Sequence, residues 1–291
     1  AAQPITGWRA GGGPARVWEA PLPVQLPELR HLWSVDEAGA PAQRLRRATL
    51  EGAAATCGEF SDYALGCRDF PLPSGEVLHL NWTGPGPLSP ARTMAGTSVG
   101  YRTNSSWPLR WRDPRSVELV FSRSGVPWIE PRCVVARVEP DGADGSLIVM
   151  RQPCFDNFVA RGILSWGPEY SVGSHPGGLL PRRIENVAEL VGTAGREGQW
   201  ATRTDRSTGR TTLLLGGSSD AAPRVTAARR IPLITTEPGV RGLRFVGIHF
   251  RLSSQGPRPA SDFGFVDLQA GFHFIPTPEA VASAAAGQQA A

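Results

Sequence analysis

Glycine and proline are spread along the whole chain, and their number limits what it can fold into. The 291 residues include 34 Gly and 27 Pro. Glycine weakens a helix interior and proline breaks it, whereas both residues favour tight turns. A chain of this length can also hold two modest cores or one large β architecture. We therefore predict an all-β protein in which many short strands are joined by turns.

Several short runs between these turns have the alternation of half-buried strands. Apolar and polar residues alternate at 15–20, 29–35, 76–82 and 116–121, which predicts strands with one face toward a core. A turn at 207–209 lies between two further strand-like runs and predicts a hairpin over 199–215. Two short helices are predicted, at 184–190 from apolar spacing and in an Ala-rich tail after Thr277 and Pro278, which can also be disordered.

The four cysteines favour disulfides over a metal site. None of them forms the close pairs with a second Cys or His that zinc requires, and the five histidines are dispersed. Cys133 and Cys154 flank a turn-rich segment, so a hairpin can bring their sulfurs together, and Cys57 with Cys67 would close a short loop. Both bridges imply an oxidising compartment, and we expect a secreted protein whose leader has been removed or lies elsewhere.

Charge and hydropathy argue against two classes of partner. All 30 basic residues are Arg, but the net charge is only +4 and the basic pairs are isolated, whereas nucleic-acid binding needs a concentrated basic face. No apolar run reaches the roughly 18 residues of a membrane span. We therefore expect neither nucleic acid nor membrane as a partner, and no metal or cofactor.

A family resemblance rests on short motifs that occur in order along most of the chain. IENV at 184–187, DRSTG at 205–209, the segment 240–250 and GFVDLQAG at 264–271 resemble stretches of bacterial, secreted glycoside hydrolases of the right-handed parallel β-helix type. These are the fucosidase-like and xylanase-like enzymes, related in fold to pectate lyases, that carry an inserted β-rich domain. The resemblance implies a polysaccharide as the partner.

The resemblance also implies a domain organisation. Residues 1–180 would form a β-rich insertion domain, sandwich-like or barrel-like, and 181–275 would begin the parallel β-helix with a short helix and a hairpin. Residues 276–291 would be the tail. In this family we expect the catalytic carboxylates to follow the last matched motif, so the chain would carry an incomplete active site.

Six residues are candidates for the chemistry of a carbohydrate site, each with an ordinary alternative. Glycosidases use two carboxyl groups, for which Asp262 and Asp267 are candidates. Residues five apart in a strand face opposite sides, however, and a turn cap at Asp262 and an exposed strand acid at Asp267 are the favoured explanation. An aromatic platform of Trp107, Trp111 and Trp128 can stack on sugars, although tryptophan is usually buried. His249 alternates with apolar neighbours and can line a cleft or be merely solvated. The other four histidines are dispersed along the chain and do not have the spacing of a metal site.

Two functional hypotheses therefore follow, with a third behind them. The first is a glycoside hydrolase segment, enzymatic only if its acids are present. The second is a non-catalytic carbohydrate-binding or adhesive module, recognisable by a groove with aromatic residues and without two facing carboxylates. The third is a structural β module. The residues themselves distinguish neither the sugar nor the oligomeric state.

Overall fold

The computed structural model describes a large part of the chain, and every structural statement below concerns that part. The described residues are 2–11, 16–23, 29–54, 67–82, 100–121, 129–152, 154–155, 180–217, 220–228, 236–247, 265–268 and 271–274. They form two compact units, one from 1–47 with 191–257 and the other from 48–190 with 258–291. We call them unit 1 and unit 2.

The described residues confirm the all-β prediction. Their helical segments are short: 3-10 turns at Trp107–Arg110, Pro114–Ser116 and Ala188–Leu190, and the two residues 154–155. The strands in chain order are β1 (Ala2–Pro4), β2 (Arg9–Ala10), β3 (Val17–Pro21), β4 (Leu32–Val35), β5 (Pro41–Leu45), β6 (Thr49–Glu51), β7 (Ala53–Ala54), β8 (Cys67–Pro71), β9 (Val77–Trp82), β10 (Gly100–Thr103), β11 (Glu118–Val120), β12 (Ile129–Asp141), β13 (Gly145–Met150), β14 (Arg183–Glu185), β15 (Trp200–Asp205), β16 (Arg210–Gly216), β17 (Val225–Ala228), β18 (Phe265–Leu268) and β19 (Gly271–Phe274).

Unit 1 is a sandwich of two four-stranded antiparallel sheets. One sheet has the order β1-β17-β4-β5 and the other β15-β16-β3-β2. Alternate residues of both sheets meet in one core, which is the expected consequence of strand pleating. Its fully buried members include Leu32 and Ala227 from the first sheet, and Ala20, Trp200 and Leu213 from the second. The hairpin predicted over 199–215 is confirmed as β15 and β16.

Unit 2 is a nearly closed barrel. Its sheet runs β6-β14-β11-β12-β13-β10-β9-β8-β7, with β18 and β19 added on β12. The path starts at β6 and ends at β7, and only Gly52 separates these two strands in the chain, so both ends of the sheet meet at one seam. The amide of Gly52 donates to Arg182 O at 2.8 Å. A Cβ there would lie 2.5 Å from Arg68 Cδ and 2.9 Å from Phe70 Cε1, so the seam has room only for glycine.

The hairpin between β12 and β13 carries the confirmed disulfide. Cys133 lies on β12 and Cys154 follows β13, with their Cα atoms 5.8 Å apart. Both cysteines are buried. Cys57 and the side chain of Cys67 lie outside the described residues, so the second bridge stays a prediction.

The helix predicted at 184–190 was wrong in its first half. Arg183–Glu185 is strand β14, paired with β11 and β6, and only Ala188–Leu190 is helical, as a 3-10 turn. Asn186 ends the strand in the left-handed region, with φ of 63°. Its side chain donates from Nδ2 to Ser116 O at 3.0 Å, which offsets that conformation. Hydrogen bonding to two strands therefore overrode the helical spacing of the apolar residues.

The parallel β-helix predicted for 181–275 stays a prediction, as does the boundary at residue 180. Strands β14 to β19 all pair antiparallel with their neighbours. The described part of the supposed coil, 241–247, contains no strand. The rest of the coil and the Ala-rich tail lie outside the described residues.

Candidate functional site

The predicted aromatic platform does not present two of its rings to solvent. Trp107 and Trp111 are both buried in unit 2. Their rings meet edge to face, with centroids 5.8 Å apart and an interplanar angle of 90°, which is a favourable packing geometry for indoles. These two residues therefore lie in a core environment. Trp128 lies outside the described residues.

The remaining candidate residues are only partly placed. His249 and Asp262 lie outside the described residues. Asp267 lies on β18, where the backbone register pairs it with Glu130 of β12 on one side and Phe272 of β19 on the other. Position 267 is therefore brought next to a second acidic position, from a strand more than a hundred residues earlier in the chain.

Glu130 belongs to a buried cluster of charges that the sequence did not reveal. Arg132, on the same strand, donates from Nη2 to Glu130 and from Nη1 to Glu185 at 2.6 Å, and the same Nη1 lies 3.6 Å from Glu118 Oε2. Arg183 donates to the other oxygen of Glu130 and lies 3.1 Å from Glu185. Three carboxylates and two guanidinium groups thus converge across β11, β12 and β14.

Burial makes this cluster unusual. The side chain of Arg132 is 8% exposed and that of Glu118 is 1% exposed. Burial alone would lower the pKa of Arg132, because it disfavours the charged guanidinium. Attraction to the carboxylates of Glu185, Glu118 and Glu130 is the stronger effect, so the pKa of Arg132 is raised above its usual value. The arginine is permanently charged, and it holds the carboxylates around it as acceptors. Glu118, the most buried of these carboxylates, is therefore inaccessible to a substrate.

An open groove in unit 1 is the better candidate for ligand binding. It has a volume of about 860 Å³, within the size range of small-ligand sites. It lies at one end of β3 and beside the turn between β15 and β16. Its lining includes Trp8, Arg9, Glu19, Thr208, Arg210 and Thr212.

Trp8 gives the groove an aromatic wall that is fixed in place. Gly7, with φ of 77°, takes the left-handed conformation that turns the chain between β1 and β2. The indole of Trp8 donates from Nε1 to Ile5 O at 3.1 Å and packs against the sandwich core, and the residue remains partly exposed. One part of the ring is therefore anchored while another borders the groove.

The polar wall of the groove comes from the outer face of the second sheet. The register pairs Arg9 with Glu19, Glu19 with Leu214 and Pro21 with Thr212. Alternate residues of a strand share a face, so Arg210 lies on the face of Thr212 and Leu214. Threonine hydroxyls, one carboxylate and two guanidinium groups are thus gathered along one groove.

Asp205 shapes the turn that borders the groove. Its Oδ1 accepts hydrogen bonds from the Ser207 hydroxyl at 2.7 Å and the Ser207 amide at 2.9 Å, and its Oδ2 accepts one from the Thr208 hydroxyl at 2.9 Å. The hydrogen bonds from Ser207 and Thr208 lower the pKa of the Asp205 carboxyl. Asp205 therefore stabilises the turn, and the turn places Thr208 and Arg210 at the rim of the groove.

Sequence reasoning identified both strands and the turn of this groove but not the groove itself. The alternation at 15–20 and the turn at 207–209 were visible, whereas the pairing of β3 with β16 joins segments almost two hundred residues apart. The signal that could have pointed to the site is the Gly-Trp-Arg step at 7–9, a turn residue followed by an aromatic and a cation.

Comparison with known proteins adds no family: no family model, curated protein or solved structure matches the chain. Within the described residues, no helix is both long and apolar enough to cross a membrane. The same residues contain no group of three or more His, Cys, Asp or Glu side chains arranged to hold a metal ion.

Proposed function

We propose that the chain is a carbohydrate-active protein that binds polysaccharide in the groove of unit 1. The supporting observation is the partly exposed ring of Trp8, held rigidly beside threonine hydroxyls and charged side chains. A sugar presents an apolar C–H face and a polar rim of hydroxyls, so it needs an aromatic surface flanked by hydrogen-bonding groups. A preformed groove of this kind costs little to order on binding.

Binding without hydrolysis is the form of this function that the groove favours. Glycosidases generally need two carboxyl groups about 5 to 9.5 Å apart. Among the described residues that line the groove, Glu19 is the one carboxylate, and it lies 3.7 Å from Arg203. We further propose that the protein acts in an oxidising, extracytoplasmic compartment, which its buried disulfide supports.

A titration with soluble neutral polysaccharides, such as xylan and lichenan, tests the binding function. We expect saturable binding, measured by calorimetry, that Trp8→Ala abolishes because the stacking surface is gone. Trp33→Ala is the control, since Trp33 lies on β4 in the other sheet of unit 1 and does not line the groove. Circular dichroism shows whether each variant is folded. Unchanged binding by folded Trp8→Ala would refute the assignment to this groove.

Hydrolysis is a second candidate function, and one observation favours it. Positions 130 and 267 are direct cross-strand neighbours, so their Cβ atoms are about 4.5–5.5 Å apart and the two acidic side chains start from adjacent points of the sheet. We propose Asp267 as the nucleophile or acid of such a pair, within the β-helix hydrolase lineage that the sequence resembles. The test is release of nitrophenol from aryl glycosides. Activity that is lost in Asp267→Asn and kept in the control Asp144→Asn would support hydrolysis. No release by the folded wild-type chain would exclude it for this chain.

A further inference from the structure

The arginines around the groove outnumber the acids that can neutralise them. Arg9 and Arg210 line the groove, and Arg203 lies on the same sheet face, opposite Thr212 in the register. Glu19 lies directly across from Arg9, yet its carboxylate is within ion-pair distance of Arg203, at 3.7 Å, rather than of Arg9. The one acid among the described residues that line the groove is therefore already engaged.

The next acid along the sheet is also engaged. Asp205 pairs with Arg210 in the register of β15 and β16, but its two oxygens accept the hydrogen bonds of the turn from Ser207 and Thr208. Among the described residues, neither the Arg9 nor the Arg210 guanidinium forms an ion pair with a carboxylate. Both side chains are exposed, so an incoming ligand can reach them without breaking an existing bond.

Two unneutralised guanidinium groups beside an anchored indole define a ligand chemistry. A guanidinium binds a carboxylate through two parallel N–H···O bonds, which gives both charge and direction. A neutral sugar would satisfy the stacking surface of Trp8 but would leave both cations paired only with water. A chain of uronic acids offers a ring face for Trp8 and carboxylates for the arginines.

We propose that the groove is specific for acidic polysaccharide, with Arg9 and Arg210 binding uronate carboxylates while Trp8 stacks on a sugar ring. This inference rests on the proposed carbohydrate-binding function and names its ligand class. Because both arginines are exposed, each contact is weakened by solvent, and we expect each to contribute about threefold to tenfold in affinity. The two sites together set a preference for a charged chain over its uncharged counterpart.

The test compares two ligands that differ only in charge. Polygalacturonate and its fully methyl-esterified form have the same sugar ring and linkage, but the ester carries no carboxylate. We expect the acidic form to bind at least tenfold more tightly in calorimetry at low salt, with the preference reduced at 0.5 M NaCl because salt screens exposed charges. Arg9→Ala and Arg210→Ala should each lower the affinity for polygalacturonate more than the affinity for the ester, so the ratio of the two affinities falls.

Matched controls separate a specific site from general attraction between a basic protein and a polyanion. Arg224→Ala removes the same charge from the other sheet of unit 1, and Arg224 does not line the groove. We expect it to bind polygalacturonate like the wild type. An equal loss in Arg224→Ala, or binding of dextran sulfate as tight as that of polygalacturonate and insensitive to Arg9→Ala, would overturn the proposal.

The outcomes also separate this inference from the function on which it rests. Binding of both ligands with equal affinity, abolished by Trp8→Ala, would overturn acidic specificity and keep the carbohydrate groove. Binding of neither ligand, together with no binding of xylan or lichenan by folded protein, would overturn both.

Discussion

Arg132 shows at the scale of one residue what the sequence could and could not indicate. Its strand was visible as an apolar run around Cys133, and the strand containing Glu118 was predicted from its alternation. The convergence of Glu118 and Glu185 on one guanidinium depends on the pairing of β11 with both β12 and β14. No local pattern contains that information, because β14 lies far along the chain from β11 and β12.

We expect Arg132→Leu to destabilise unit 2 by about 3–5 kcal/mol, because it leaves buried carboxylates without their cation. The control is Arg137→Ala on the same strand, where the ion pair with Glu139 is exposed and should contribute less than about 1 kcal/mol. Urea denaturation followed by fluorescence measures both. Equal losses in the two variants would mean that the Arg132 cluster contributes no more than a surface ion pair.

At the scale of elements, hairpins with strong turn signals were the most predictable features. The turn formers at 140–145 and 207–209 correctly predicted β12–β13 and β15–β16, because a short connection fixes the partner of each strand. The segment 184–190 was less predictable. Ile184, Val187 and Leu190 are all buried, as the helical spacing required, but pairing with β11 and β6 decided the conformation of the first of them. The apolar pattern therefore predicted which residues are buried, but not whether they form a helix or a strand.

The disulfide should stabilise the fold by reducing the conformational entropy of the unfolded chain. Cys133 and Cys154 are 21 residues apart, and closing a loop of that size is worth about 3 kcal/mol in the chain-entropy account. We expect the double variant Cys133→Ala/Cys154→Ala to lose roughly that free energy of unfolding in guanidinium denaturation. Reduced wild-type protein is the control and should match the variant. A loss below about 1 kcal/mol would mean that the hairpin is held by its ladder and core contacts alone.

At the scale of the whole molecule, the sequence predicted the all-β class, but not that the chain is divided between a sandwich and a barrel. A sandwich or a barrel-like domain was expected within residues 1–180. The structure has one of each, and the sandwich takes strands from both 1–47 and 191–257. Alternation shows that a strand has a buried face, but it does not identify which core receives that face.

The response of unit 2 to alkali follows from Tyr101, whose side chain is fully buried against Phe155 with ring centroids 5.7 Å apart. Burial raises the pKa of its phenol well above 10.0. In the unfolded chain this phenol loses its proton near pH 10, whereas the folded state keeps it. The stabilisation is therefore fully present below that pH and is lost as the pH rises toward the folded-state value.

We expect the urea midpoint of the wild type to fall between pH 9 and pH 11, and the fall to be smaller in Tyr101→Phe, which cannot ionise. Because Phe keeps the ring contact, the comparison isolates the ionisation. A pH dependence that is identical in both proteins would assign the alkaline loss to other groups.

The divided sandwich has a consequence for how the protein is made. Strand β3 leaves the ribosome well before its partner β16, because residues 48–190 lie between them and their synthesis takes roughly 7 to 30 s at about 5–20 residues per second. During that interval the edge of β3 and the apolar faces of Trp18 and Ala20 have no sheet to join, which exposes them to pairing with other nascent chains. Residues 48–190, in contrast, contain both strands of the seam, β6 and β7, and can close their sheet before the sandwich is complete. The groove of unit 1, which β3 and β16 both line, can therefore form only after β16 has been made.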